Sequence, residues 1–124
     1  MTGETFDQLL ARYPSEVKTL AESARHAILE LLPGAEQSVD PSAGVIGFGY
    51  GPGYKGVICT LILSKSGVKV GLVGGARLPD PHGLLEGSGK VHRYVALRTP
   101  ADLRRPGVKQ LVKAAGRAWR ERNP

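Results

Sequence analysis

The side chains best able to do chemistry gather in one stretch. Asp80, His82, Glu86, Lys90, Arg93 and Arg98 are interleaved with Gly83, Gly87 and Gly89. Cations beside glycine N–H groups suit an anion. The N–H groups approach without steric obstruction, and Lys or Arg adds charge-assisted bonds. In this arrangement Lys90 and Arg93 supply charge, Gly87 and Gly89 supply backbone donors, and Glu86 orients the cations. Asp80, His82 and Arg98 are expected to converge with them near one end of a sheet. The competing reading is a folding motif. There Glu86 pairs with Lys90 or Arg93, and the glycines only permit a tight loop.

Other chemistries find little footing. Gly47-Phe48-Gly49-Tyr50-Gly51-Pro52-Gly53 fails the dinucleotide fingerprint, because the third glycine position holds Pro52 or Tyr54. Gly87-Ser88-Gly89-Lys90 resembles the end of a phosphate loop, but Leu84 and Val91 occupy positions that need Gly and Ser or Thr. Cys59 lies inside the most apolar segment, where a thiol stays protonated and inert. As the only cysteine it permits neither an internal disulfide nor a multi-cysteine metal site. No G-x-S-x-G elbow occurs. His26, His82 and His92 are not at metal-ligand spacings. The expectation is a non-enzymatic protein without metal or cofactor.

Charge offers a second candidate surface. Residues 1–44 hold seven acids and three bases, whereas residues 45–124 hold four acids and fourteen bases. That dipole suits either a polyanion or head-to-tail association, and a homodimer is one expected partner. Arg105, Lys109, Lys113 and Arg117 recur every four residues and would form a cationic ridge on a helix, able to track nucleic-acid phosphates. Few aromatic residues are available for base stacking, and Trp119 falls on the apolar side of that helix. A solvated helix face is the simpler reading.

The elements that must position these groups are legible in outline. The 124 residues and 23% charged content fit one globular domain spanning 1–124. No run approaches the ~18 apolar residues of a membrane span. The start, Met1 to Asp7, lacks the basic flank and apolar stretch of a secretory signal, so a cytoplasmic address is expected. Thr5 caps a short helical turn carrying Phe6, Leu9, Leu10 and Tyr13. Pro14 ends it and opens a second helix from Ser15 to Leu32, closed by Pro33-Gly34. Strands are expected at Val45–Tyr50, Val57–Leu63, Val68–Leu72 and Val91–Leu97, with a turn at Gly51-Pro52-Gly53 and a hairpin at Ser64–Gly67. The second of these is apolar on both faces and reads as central and covered on both sides. Thr99 caps the last helical region, whose apolar face is Val108, Leu111, Val112, Ala115 and Trp119. This order predicts an α+β fold, a mainly antiparallel sheet with N-terminal helices and a C-terminal helix packed on it.

The run Leu78-Pro79-Asp80-Pro81-His82-Gly83-Leu84-Leu85-Glu86-Gly87-Ser88-Gly89-Lys90, followed by Arg93-Tyr94-Val95-Ala96-Leu97-Arg98, Asp102-Leu103 and Pro106, resembles the YdhG-like domain-of-unknown-function (DUF) family. Val68–Leu72 and Leu32-Pro33-Gly34-Ala35-Glu36 fit the same pattern, and the likeness extends from Phe6 to Ala115. It implies a compact α+β fold and little about activity. One branch is similar to frataxin and has been proposed to deliver iron to iron–sulfur assembly. That role implies an acidic surface, for which Glu16, Glu22, Glu30 and Glu36 are the candidates here. Gln37 replaces the second acid that commonly follows Glu36. The expected function is binding of a small anion or a protein partner through the Asp80–Arg93 loop, with iron delivery and nucleic-acid binding as alternatives.

Overall fold

A computed structural model describes residues 5–51 and 56–123. The expected turn at Gly51-Pro52-Gly53 and the first residues of Met1–Asp7 therefore lie partly outside the described residues. The chain forms α1 (Phe6–Leu10), α2 (Ser15–Leu31), five strands and α3 (Pro106–Arg122). The strands are β1 (Glu36–Asp40), β2 (Val45–Gly49), β3 (Val57–Ser64), β4 (Gly67–Leu72) and β5 (Arg93–Leu97). They pair antiparallel in sequence order, so the α+β architecture is as the sequence predicts.

Each helix forms for a local reason. Thr5 Oγ1 accepts from Gln8 N–H at 3.1 Å, and Gln8 Oε1 accepts from Thr5 N–H at 2.8 Å. This reciprocal box satisfies two N-terminal donors that the short α1 could not otherwise pair. Pro14 then serves as the N-cap of α2. Val17, Leu20, Ala21, Ala24 and Ile28 form the buried stripe of α2. Val108, Leu111, Val112 and Ala115 do the same for α3. Both helices pack on β3 and β4. Trp119 is half-buried at the end of this layer, its ring centroid 5.3 Å from that of Tyr50.

The helix-facing rows of the sheet follow the register. One runs Ile46, Leu61, Val70, Val95, and the next Phe48, Cys59, Leu72. All seven are buried.

Three features depart from the expected pattern. A fifth strand, β1, runs along the edge beside β2. Its sequence is mostly polar, and its inward Gln37 accepts a 2.6 Å hydrogen bond from Arg25 Nε on α2. That guanidinium also lies 5.1 Å from the Phe6 ring centroid, which ties the edge strand to both helices. The last strand starts at Arg93, not Val91, which is 53% exposed. Finally, β3 is central but covered on one side only. The register slips between Phe48 and Gly49, so Ile58 and Cys59 are both buried while Val57 and Thr60 stay half-exposed. A bulge of this kind lets two consecutive side chains serve one face. It makes an ordinary half-exposed strand look apolar throughout.

Candidate functional site

Twenty residues connect β4 to β5, and the chemistry-bearing stretch begins at Asp80, the eighth of them. Asp80 organises it. Its Oδ1 accepts from Leu84 N–H at 2.8 Å and its Oδ2 from Leu85 N–H at 2.9 Å. Its carbonyl accepts from Gly83 N–H at 3.1 Å. Gly83 has φ +64°, the left-handed conformation this tight turn needs. The turn presents Leu84 to the start of α3, where a methyl on Gly107 would lie 2.7 Å from Leu84 Cδ1 and 2.9 Å from the His82 ring. Asp80 and Gly107 thus fasten the loop to the helix layer.

The next residues cover the open edge of β5. Glu86 and Tyr94 exchange backbone hydrogen bonds at 2.7 and 3.1 Å, an isolated antiparallel bridge. Glu86 Oε2 also accepts from Ala96 N–H at 3.3 Å. An unpaired edge strand is a template for unwanted pairing, and this contact blunts it. Beyond it, Arg93 Nε donates to the Gly89 carbonyl at 2.7 Å, and His92 Nδ1 accepts from Gly74 N–H at 3.2 Å.

The expected cluster is therefore distributed. Asp80, Glu86 and Arg93 bond to backbone atoms of the loop or of β5, not to one another. His82 packs at the start of α3. Arg98 stands beyond the opposite end of β5 from Arg93, about 17 Å away along an extended strand. Its backbone N–H donates to Asp102 at 2.8 Å. That bond, a second from Thr99 N–H at 3.2 Å and the nearby Arg105 lower the Asp102 pKa below the usual carboxylate value. Lys90 is exposed at the loop tip. Among the described residues, the N–H groups of Gly87, Ser88, Gly89 and Lys90 find no acceptor.

Because Asp80 pairs two half-buried N–H groups, Asp80→Ala is expected to destabilise the fold by about 1–3 kcal/mol. Amide exchange should quicken at Leu84 and Leu85 first. Unchanged exchange at both positions would show that another group anchors the loop.

The basic ridge lies on the helix layer. Arg105, at the N-cap of α3, and Lys109, Lys113 and Arg117 along it are all exposed, and Arg105 has one distant carboxylate neighbour, Asp102 at 3.9 Å. The acids expected for iron are apart: Glu16, Glu22 and Glu30 are on α2, where Glu30 contacts His26, while Glu36 opens β1. Among the described residues, no three His, Cys, Asp or Glu side chains group to hold a metal.

The site residues expected from the sequence leave out a second surface. Among the described residues, no element covers the face of the sheet opposite the helices, called here the bare face. Two shallow hollows, of about 400 and 360 Å³, cross it and meet at Val57 and Thr60. The first is flanked by Glu36, Ser38 and Asp40 of β1, and the second by Ile62, Val73, His92, Arg93 and Tyr94. Gly47 and Gly71 floor the trough. A methyl on Gly47 would meet Ser38 Oγ at 3.0 Å, and one on Gly71 would meet Thr60 Oγ1 at 2.4 Å. Lys69 Nζ lies over the Tyr94 ring, 4.4 Å from its centroid. The face thus has an acidic border on β1 and a cationic, aromatic border on β4 and β5. The Gly-rich strand and the alternation of Val57, Thr60 and Ile62 were its only sequence signals.

No helix among the described residues is long and apolar enough to cross a membrane. The chain matches no known protein-family model, and no curated protein or solved structure matches it either.

Proposed function

We propose that the chain is a non-enzymatic binding domain that seats a protein partner on the bare face of its sheet, with the Asp80–Arg93 loop as one wall. The observation that carries this reading is the uncovered trough through Val57, Thr60 and Ile62. Extended apolar hollows on a small domain mark interaction surfaces. The loop supports the reading through its chemistry, since Asp80 and Glu86 spend their carboxylates on backbone N–H groups. Cys59, the one thiol, is wholly buried. A YdhG-like relationship agrees with a binding role and adds no activity.

Small-anion binding is a second reading, favoured by the loop tip. There Lys90 and the unpaired N–H groups of Gly87 to Lys90 would form the site.

Site-specific photo-crosslinking tests the first reading. A benzoyl-phenylalanine replaces Val45, half-buried on the bare face, or Glu22, exposed on α2. Irradiation in the cells that make the protein should give one discrete protein adduct from position 45 and none from 22. No adduct at 45, or equal labelling at both, would overturn the reading.

A further inference from the structure

We infer that the partner seated on the bare face is a second copy of this chain, related by a two-fold axis along β3. The inference rests on the reading of this face as the binding surface and adds the identity of its occupant.

The argument comes from the register. Three rows of residues cross the open face. The middle row runs Ser38, Gly47, Thr60, Gly71, Tyr94. The row below it runs Asp40, Val45, Ile62, Lys69, Ala96. The row above starts Glu36, Gly49, Val57 and is continued past the ends of β4 and β5 by Val73 and His92. Two sheets pack face to face about 10 Å apart with strands aligned within roughly 30°. A two-fold axis parallel to β3 keeps each row opposite itself and reverses strand order. Position one then faces position five, and position two faces position four.

Every row is self-complementary under that operation. In the lower row Asp40 of one copy arrives over Ala96 of the other, beside Lys69. The Lys69 ammonium already leans toward β5, over Tyr94. Lys69 is the cross-strand neighbour of Ala96, and its flexible side chain can swing from Tyr94 to the incoming carboxylate. In the upper row Glu36 faces His92. In the middle row the large Tyr94 faces the small Ser38, and Gly47 faces Gly71, so the backbones can close. Along the axis Val57, Thr60 and Ile62 each meet their own counterpart. An isologous contact demands this pattern, with the same patch complementary to itself. The opposite rotation, with the axis across the strands, would set Asp40 against Glu36 and place like charges together.

The face is small, five strands about 4.8 Å apart and three rows deep. Interfaces of that size make weak, concentration-dependent dimers. Sedimentation equilibrium on the full chain, from 1 μM to 1 mM, is the test. Wild type should pass from one to two chain masses within this range. Lys69→Glu places two carboxylates together twice per dimer and should raise the dissociation constant at least tenfold. Asp40→Lys should do likewise, and the double variant should restore dimerisation. Asp40 also accepts from the Ser42 hydroxyl and from Ala43 N–H at the β1–β2 turn, so circular dichroism checks the fold of each variant. Lys69→Glu leaves that turn intact and carries the test if Asp40→Lys fails to fold. A wild-type chain that stays monomeric at 1 mM overturns the inference. So does a dimer indifferent to Lys69→Glu. If that monomer still gives a Val45 photo-adduct with a different protein, the bare face remains the binding surface and only its occupant is wrong. If it gives none, both readings fall.

Discussion

Gly49→Ala is expected to cost about 3 kcal/mol or more, through overpacking that cannot relax. A β-carbon built there would lie 1.8 Å from the Gly56 carbonyl oxygen and 2.9 Å from Val57 Cα. Both obstacles are backbone, so no rotamer change relieves them. The converse clash exists too, since a β-carbon on Gly56 would lie 2.4 Å from the Tyr50 carbonyl oxygen. The two glycines let β2 and β3 approach where the register slips, and Tyr50 N–H then donates to the Gly56 carbonyl at 2.9 Å. Forcing the strands apart there would undo the bulge that buries Ile58 beside Cys59. At roughly 4 °C per kcal/mol for a domain of this size, the melting temperature should fall by about 10 °C or more. Gly67→Ala is the control. Its β-carbon would meet only the Leu97 carbonyl oxygen at 3.6 Å, an ordinary contact, so stability should move by no more than about 0.5 kcal/mol. A Gly49→Ala protein that melts with wild type would show that the strands separate freely at this point.

The same bulge explains why part of the fold was hidden in the sequence. The α2 and α3 stripes, and the hairpin from β3 to β4, announce themselves by periodicity and turn residues. β1 does not, because a strand at the sheet edge needs only its inward positions. Those are Gln37 and Val39, and Gln37 is polar because it meets Arg25 rather than the core. Val57 to Leu63 reads as covered on both sides because two consecutive residues, Ile58 and Cys59, serve one face. Local spacing cannot reveal that, since the slip depends on what β2 does beside it.

The loop was legible in a different sense. Its glycines and charges marked it as unusual, but the partners of Asp80, Glu86 and Arg93 are backbone groups, which sequence does not display. Opposite charges at close spacing suggest mutual pairing. Here the geometry gives each of the three a backbone partner instead. The bare face left almost no trace, because small and half-exposed residues on alternate positions look the same whether or not a partner covers them. What distinguishes this face is its order across five strands. Acids stand on one border and Lys69 near the other, a relation between residues up to thirty-three positions apart, from Glu36 to Lys69.

Stability should fall on the alkaline side because of Cys59. The thiol is wholly enclosed between β2, β4 and the helix layer, and burial pushes its pKa from 9.0 up to about 12. Below pH 9 the thiol is protonated in both states and its burial favours the fold in full. Between pH 9 and 12 the unfolded chain releases that proton and the folded chain keeps it. The unfolded state then binds fewer protons, so stability declines by up to ~1.4 kcal/mol per pH unit until the folded pKa is reached. Lysines and tyrosines titrate in the same range, so the measurement is a difference. Urea unfolding from pH 8 to 11 should fall more steeply for wild type than for Cys59→Ala, although the variant starts lower for want of the sulfur. Parallel curves would mean that the thiol ionises without unfolding and that the core admits the charge. The same enclosure should keep Cys59 from a disulfide reagent at pH 8, where a raised pKa of this size cuts the thiolate about a thousandfold. Labelling should then follow global opening, quickening in Gly49→Ala in proportion to its lost stability. That links the two variants physically: the close approach at Gly49 sets the bulge, and the bulge turns Ile58 inward beside Cys59. A thiol so placed fills the core and leaves the binding chemistry to the exposed side of the sheet.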